Sequence, residues 1–232
     1  MRIEFIGMWM RRLAGAVAML SVLLLTGCAT TITGHAVAGK KATAVGADVA
    51  PSDDGYGIII GSSQDVAIDL FIEPQCPHCG QFVGLYGDAI GEHVKDGQLS
   101  VTIRPLTFMD FGGVDYSARA TNAIFLVASD DDPTPELVWG FIQGIYEELL
   151  ATASPPDDDG LAQIANDVGV SADTVNRIAA GERAVDPDEV SDGNVTLMDD
   201  YGVPAATPTL YDTINETAVN VDDPGWLDEL VK

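Results

Sequence analysis

Two periods of apolar residues alternate along the chain and predict a mixed α/β fold. The runs "YGIII" at 56–60 and "DVAIDLFI" at 65–72 are apolar or β-branched and are bounded by glycine and serine. They predict two strands, the second of them central and buried. "LSVTIRPL" at 99–106 alternates apolar and polar positions and predicts another strand, whose further pairing Pro105 limits.

A helix is predicted between the second and third of these strands, beginning at a pair of cysteines and continuing through 81–94. Its candidate core residues are Phe82, Leu85, Ile90 and Val94, which can share one face at helical spacing. Three glycines weaken the prediction of an unbroken helix, because glycine costs roughly 1 kcal/mol relative to alanine in a helix interior.

Helical patterns dominate the chain after the third strand. Amphipathic runs at 115–129 and 134–151 predict two long helices, the second with Thr134 as its cap. Further helices are predicted at 159–170, 172–181, 188–203 and 223–231, and one more strand at 204–213. This order implies an α/β core, a mixed central sheet flanked by helices, interrupted by a helical insertion at about 113–185.

The N-terminal segment 1–27 is predicted to be a signal peptide outside the fold. Two arginines precede the apolar run Leu13–Leu25, which is short for a membrane span. The run ends in "LTGC", which resembles the lipobox of bacterial lipoproteins and implies that Cys28 carries a lipid. Residues 28–55 are small and polar without an apolar period, so we predict a lipidated N-terminus and flexible tether before a folded domain at 56–232.

Charge is strongly one-sided in this sequence. It has 11 Lys and Arg against 36 Asp and Glu, which gives a formal net charge of −25. Such a surface repels phosphate backbones, and no basic stripe offsets it, so we predict no nucleic-acid partner.

The chain has three cysteines, Cys28, Cys76 and Cys79. If lipid occupies Cys28, the folded domain holds one pair, which could be half of a zinc site, a structural disulfide or a redox couple. A structural zinc site normally takes four protein ligands at spacings that the chain does not show, so we predict no metal.

Position favours the redox couple. A C-x-x-C pair that follows a central strand and opens a helix is the layout of a thioredoxin-like redox motif. The unpaired amides and dipole at a helix N-terminus favour a thiolate. Cys76 is therefore the candidate nucleophile, Cys79 the resolving thiol, and His78 a residue that tunes the pair.

The tetrapeptide "CPHC", with Pro77 in second place, resembles the active site of DsbA, the oxidase of exported bacterial proteins. "GVPAATPTLY" at 202–211 resembles the family's second signature, which implies that Thr207 and a cis Pro208 face the redox pair. The resemblance covers residues 56–232 and implies a thioredoxin-like fold with an inserted helical domain. It implies no cofactor beyond the redox-active disulfide of Cys76 and Cys79.

This resemblance implies an extracytoplasmic thiol–disulfide oxidoreductase that oxidises cysteine pairs through a Cys76–Cys79 redox disulfide. The lipobox implies that it is lipid-anchored at the outer face of the cytoplasmic membrane. Its expected partners are exported proteins with cysteine pairs and a quinone-linked membrane reoxidant of the DsbB or VKOR-like type. Two alternatives stay open. The protein could be a reductase or isomerase, or a non-catalytic binding lipoprotein whose disulfide is structural.

One position departs from the family. Thioredoxins carry a buried acid six residues before the first cysteine, where this chain has Leu70. Asp69 should point to the other face of the strand. Glu73 is a candidate for proton transfer instead, and the alternative is that an oxidant acting mainly by accepting thiolate attack needs no such residue.

Overall fold

The computed structural model describes residues 48–152 and 154–232. The predicted signal peptide, the lipidation site at Cys28 and the tether up to residue 47 lie outside the described residues.

The described part of the chain contains six strands and seven helices. The strands are β1 (Val49–Pro51), β2 (Ile58–Ile60), β3 (Ala67–Ile72), β4 (Ser100–Pro105), β5 (Thr209–Asp212) and β6 (Thr217–Ala218). The helices are α1 (Pro77–Lys95), α2 (Tyr116–Ala128), α3 (Pro135–Thr152), α4 (Asp158–Val168), α5 (Ala172–Ala179), α6 (Pro187–Asp200) and α7 (Trp226–Leu230). The predicted order of strands and helices is confirmed, with β1 and β6 as additions.

All six strands form one mixed sheet in the order β1-β2-β4-β3-β5-β6. The central pair, β3 and β4, is parallel, and α1 makes the crossover between them. The remaining pairs are antiparallel. The prediction of a flexible tether up to residue 55 is wrong at its end, because β1 pairs with β2 and Val49 is buried. Pro51 and the acidic turn after it gave this segment the composition of a loop.

The two faces of β3 meet different parts of the molecule. Leu70 and Ile72 belong to the main core, which the sheet shares with α1, α2 and α3. Phe71 points to the other face and joins a smaller cluster with Met198 of α6. The face that bears Leu70 is thus separated by the sheet from the face that α6 covers.

Helix α1 is unbroken, and its glycines explain how it packs. A Cβ at Gly87 would lie 2.9 Å from Gln143, and one at Gly91 would lie 3.1 Å from Trp139, both on α3. These glycines therefore allow α3 to approach α1 closely. The prediction that Leu85 is buried is wrong, because its side chain is 76% exposed.

Helices α2 to α5 occupy the stretch predicted as the helical insertion. The predicted cap is present, since the Leu137 amide donates to Thr134 Oγ1 at 3.2 Å. Within 48–152 and 154–232, no helix combines the length and the apolar content needed to span a membrane.

Candidate active site

The two cysteines lie where β3 passes into α1. Cys76 is the N-cap residue of α1, with extended backbone angles, and Pro77 begins the helix. Cys76 is 7% exposed and Cys79, one turn in, is fully buried. Both are free thiols in this structure. The Pro77 and His78 side chains are exposed beside them.

Opposite influences act on the two sulfur atoms. The hydrogen bond with the Cys79 thiol lowers the pKa of Cys76 to about 5, helped by the Thr207 side chain and by the backbone N–H groups of Cys79 and His78. Burial raises the pKa of Cys79 far above its ordinary value, and the neighbouring Cys76 raises it further. At neutral pH the pair therefore holds one thiolate and one thiol, as a nucleophile and a resolving cysteine require.

A distant segment of the chain closes the site. The Thr207–Pro208 peptide bond is cis, as the sequence predicted. The carbonyl of Thr207 lies 3.5 Å from Cys76 Sγ and accepts its hydrogen bond when the sulfur is protonated. The structure thus brings Thr207 and Pro208 to the cysteine pair, although Thr207 lies 131 residues after Cys76 in the chain.

Glu73 lies behind Cys76 and is fully buried. Its carboxyl group accepts hydrogen bonds from the Ser117 hydroxyl and, at 2.6 Å, from the Gln75 backbone N–H. Burial raises the pKa of Glu73 to about 7, and the negative charges of Asp110 and Cys76 act in the same direction, while the two hydrogen bonds oppose them. A carboxyl group with this pKa can give or take a proton at neutral pH.

Three residues that the sequence did not single out complete this cluster. The Gln75 amide donates to Ser117 Oγ at 2.9 Å and to Asp110 Oδ1 at 2.7 Å. Asp110 also accepts from the backbone N–H of Ser117 at 2.9 Å and of Ala118 at 2.7 Å, so it caps α2 from the preceding loop. Sequence patterns favoured the adjacent Asp115 as the start of α2, but Asp115 makes no side-chain cap.

Tyr146 of α3 is a further residue that the sequence did not reveal. Its hydroxyl donates to the Glu73 carbonyl at 3.1 Å, and the same carbonyl accepts from the Cys76 amide at 2.9 Å. Burial raises the pKa of Tyr146 well above its ordinary value, and the hydrogen-bonded Cys79 beside it contributes. Helical periodicity marks Tyr146 only as a core residue, so no sequence signal assigned it to the site.

The strand residues before the pair lie as the alternation predicts. Leu70 is fully buried in the main core. Asp69 instead binds Arg104 Nε at 3.3 Å and accepts from the Tyr201 hydroxyl at 2.8 Å. Glu73 is therefore the carboxyl group whose charge interacts with that of Cys76. Within residues 48–152 and 154–232, no three His, Cys, Asp or Glu side chains are grouped to hold a metal ion.

Solved structures of disulfide oxidoreductases have a similar fold. MdbA, a thiol-disulfide oxidoreductase from Corynebacterium diphtheriae, matches with a TM-score of 0.66 and 19% identity, over 80% of this chain and 94% of that one. Reduced DsbA from Mycobacterium tuberculosis matches with a TM-score of 0.60 and 20% identity, over 77% and 91%. These matches confirm the thioredoxin-like fold with flanking helices that the sequence predicted.

A curated relative is more similar in sequence. Serine/threonine-protein kinase PknE of Mycobacterium tuberculosis is 32% identical over 184 residues, which cover 75% of this chain and 31% of the kinase. The chain thus spans less than a third of the length of the curated relatives it matches. The family model described as thioredoxin matches residues 53–232, which include the cysteine pair and the cis proline. The chain therefore belongs to the thioredoxin family, with a DsbA-like fold.

Proposed function

We propose that this protein is a thiol–disulfide oxidoreductase that oxidises cysteine pairs in exported proteins. The observation that carries the proposal is the placement of the two thiols, with Cys76 at the N-terminus of α1 beside Thr207 and Cys79 fully buried. This placement lowers the pKa of Cys76 to about 5 and raises that of Cys79. A structural disulfide needs no such difference. Stabilising the thiolate stabilises the reduced protein, which makes the disulfide form the stronger oxidant.

The reaction proceeds in two exchanges. A substrate thiolate attacks Cys76 Sγ of the Cys76–Cys79 disulfide, so that a mixed disulfide forms and Cys79 leaves with the electron pair. The second substrate thiolate then attacks the substrate sulfur of the mixed disulfide and releases Cys76 as a thiolate. The substrate loses two electrons and forms a disulfide, and the enzyme gains both as a dithiol.

Proton transfer falls to Glu73 in this scheme. Cys79 leaves as a thiolate in a buried position, where burial favours the protonated form. Glu73, with a pKa of about 7, supplies that proton, and Tyr146 holds its backbone close to Cys79. In reoxidation the same carboxylate takes the proton back. His78, exposed at the helix start, is proposed to tune the pair through its backbone N–H and its position in the motif.

The surface beside the site suits a polypeptide substrate. The loop between β4 and α2 carries Phe108, Phe111 and Val114, which are 47%, 72% and 47% exposed. Asp110 of the same loop contacts Gln75, the residue before Cys76. This contact joins the loop to the residue before Cys76, and we propose that the apolar surface of the loop binds an unfolded segment of an exported protein.

The proposed location rests on the N-terminal sequence, and the proposed reoxidising partner rests on the resemblance to DsbA. We propose that a lipid on Cys28 anchors the protein at the outer face of the cytoplasmic membrane, within the cell envelope. Disulfides persist in that compartment. A quinone-linked membrane protein of the DsbB or VKOR-like type would then restore the Cys76–Cys79 disulfide.

The test is disulfide exchange by the purified protein. We expect the oxidised wild type to oxidise a dithiol peptide stoichiometrically, and Cys76→Ser to be inactive. Equilibration with glutathione should give a reduction potential nearer to the DsbA value of about −120 mV than to the thioredoxin value of about −270 mV. A potential near the thioredoxin value would favour a reductase. Wild-type activity equal to that of Cys76→Ser would favour the structural disulfide.

A further inference from the structure

The ionised carboxyl group of Glu73 is held by a chain of hydrogen bonds in which it can only accept. Both N–H bonds of the Gln75 side-chain amide are committed, one to Asp110 at 2.7 Å and one to Ser117 Oγ at 2.9 Å. Because Ser117 Oγ accepts from Gln75, its own hydrogen is free to be donated, and Glu73 Oε1 is the acceptor in contact. The other oxygen, Oε2, accepts from the Gln75 backbone.

The anchor of this chain is the start of α2. Asp110 accepts from the Ser117 and Ala118 amides at the positive end of the helix, which places Ser117 beside Glu73. Ser117 is fully buried, so water does not replace its hydroxyl. The helical insertion therefore contributes a hydroxyl group to the redox site of the thioredoxin core.

No cation offsets the charge of Glu73 in the described part of the chain. The titratable groups that interact with Glu73 through charge or a hydrogen bond come from the start of α1, the β4–α2 loop, α2 and α3. They are Cys76, Cys79, Asp110, Tyr116 and Tyr146. All of them are neutral or negative at neutral pH, so the donated hydrogen bonds are what stabilises a charge on Glu73.

We infer that Ser117, held by Gln75 and Asp110, is a positioning residue that fixes Glu73 as a hydrogen-bond acceptor and thereby sets the charge that Cys76 faces. This inference rests on the proposed function, in which Glu73 exchanges a proton with the pair. Ser117 touches neither substrate nor sulfur and acts only through Glu73. Removing the Ser117 hydroxyl removes a hydrogen-bond donor to the carboxylate, so the protonated form of Glu73 becomes more stable relative to the ionised form.

The test follows the charge of Glu73 in the reduced full-length protein. Carbon-13 NMR of the Glu73 side-chain carboxyl, recorded against pH and assigned by the loss of its signal in Glu73→Gln, gives the midpoint of the Glu73 titration directly. The rate of Cys76 alkylation against pH should show the same midpoint as a second inflection above that of Cys76 itself. We expect Ser117→Ala to move both upward by about one pH unit.

Two matched variants separate positioning from general damage. Thr121→Val also removes a fully buried hydroxyl from α2, and Thr121 Oγ1 has no hydrogen-bond partner among the described residues, so the midpoint should stay in place. Gln75 is half-buried, and its side-chain amide donates to Ser117 Oγ. Gln75→Ala removes this donor and should shift the midpoint of the Glu73 titration in the same direction as Ser117→Ala. It serves as the second test if Ser117→Ala does not fold.

The outcomes are distinct. An unmoved midpoint in both Ser117→Ala and Gln75→Ala, or an equal shift in Thr121→Val, overturns the positioning role. An alkylation profile that keeps its second inflection in Glu73→Gln overturns the coupling of Glu73 to Cys76 and the inference with it. A shifted midpoint in a protein that fails to oxidise a dithiol peptide upholds the positioning role and overturns the proposed oxidase function alone.

Discussion

Two buried carboxyl groups, four positions apart within and just after β3, have very different surroundings. Asp69 lies within β3 and is 2% exposed, while Glu73 follows its end and is fully buried. Asp69 faces the guanidinium of Arg104 and the hydroxyl of Tyr201. Glu73 receives hydrogen bonds from uncharged donors only, with Asp110 and Cys76 as negative neighbours.

Burial alone thus does not decide what a carboxyl group does. Arg104 of β4 compensates the charge at Asp69, and the hydrogen bond from Tyr201 links Asp69 to the end of α6. Glu73 lacks such compensation, and its pKa rises to about 7. The sheet also separates the two groups, since Asp69 points to the α6 face and the cysteines belong to the core on the other side. We therefore expect mutations in the Asp69 network to change stability, and mutations at Glu73 to change the response to pH.

The largest expected effect is at Arg104. Its side chain is 8% exposed and binds Asp69 at 3.3 Å and Asp54 at 2.6 Å. Arg104→Met leaves Asp69 buried without a cation, so the free energy of unfolding should fall by about 3–5 kcal/mol. Urea unfolding at neutral pH, followed by tryptophan fluorescence, measures this change.

Arg177→Met provides the matched control, because Arg177 pairs with Glu182 at the surface. Its removal should change stability far less. Equal losses for Arg104→Met and Arg177→Met would mean that the buried pair contributes no more to stability than the surface pair.

The next effect concerns Glu73 and depends on pH. Its folded-state pKa of about 7 lies above the ordinary value of 4.5, so the folded protein holds this proton more tightly than the unfolded chain does. The stability that Glu73 contributes is therefore fully present below about pH 4.5 and is lost as the pH rises through about 7. The thiol of Cys76, whose pKa is lowered to about 5, titrates over the same range in both proteins, so Glu73 is read from their difference. The free energy of unfolding of the wild type should fall relative to that of Glu73→Gln by roughly 3 kcal/mol over this range.

Urea unfolding of both proteins at about pH 5 and about pH 8 measures this difference. Asp69→Asn is the comparison variant, and it should be destabilised at both values because Arg104 loses a partner. Parallel pH dependence of the wild type and Glu73→Gln would contradict the assignment of this titration to Glu73.

The smallest expected effect is at Tyr201, which donates to Asp69 at 2.8 Å. Tyr201→Phe removes one hydrogen bond and should lower the free energy of unfolding by about 1–1.5 kcal/mol. The ultraviolet titration of the Cys76 thiolate should keep its midpoint near pH 5. A shifted midpoint would show that the two networks are coupled through the sheet.

Several elements were predictable because their signals are local. The C-x-x-C pair at a strand–helix junction predicted the nucleophile. The resemblance of 202–211 to the family's second signature implied the cis proline, which the structure confirms. Apolar periods predicted the helices of the insertion. Leu85 was wrongly predicted to be buried because α1 contacts α3 through Gly87 and Gly91 rather than through large apolar residues. Strand β1 was missed because three residues are too few to show a period.

The partners of Glu73 could not be predicted in the same way. Ser117 lies 44 positions and Tyr146 lies 73 positions further along the chain. Each occupies a position in a helix where periodicity shows only that it faces inward. Which inward-facing hydroxyl meets which carboxyl group depends on how α2 and α3 pack against the end of β3.

The sequence by itself determined the fold class and the cysteine pair, because apolar periods and residue types at short spacings indicate them, and the resemblance to DsbA indicated the distant proline. Only the tertiary structure decided the charges around the pair. The pKa values of Cys76, Cys79 and Glu73 depend on burial and on donors brought from distant segments, and both arise only when the helical insertion packs on the thioredoxin core.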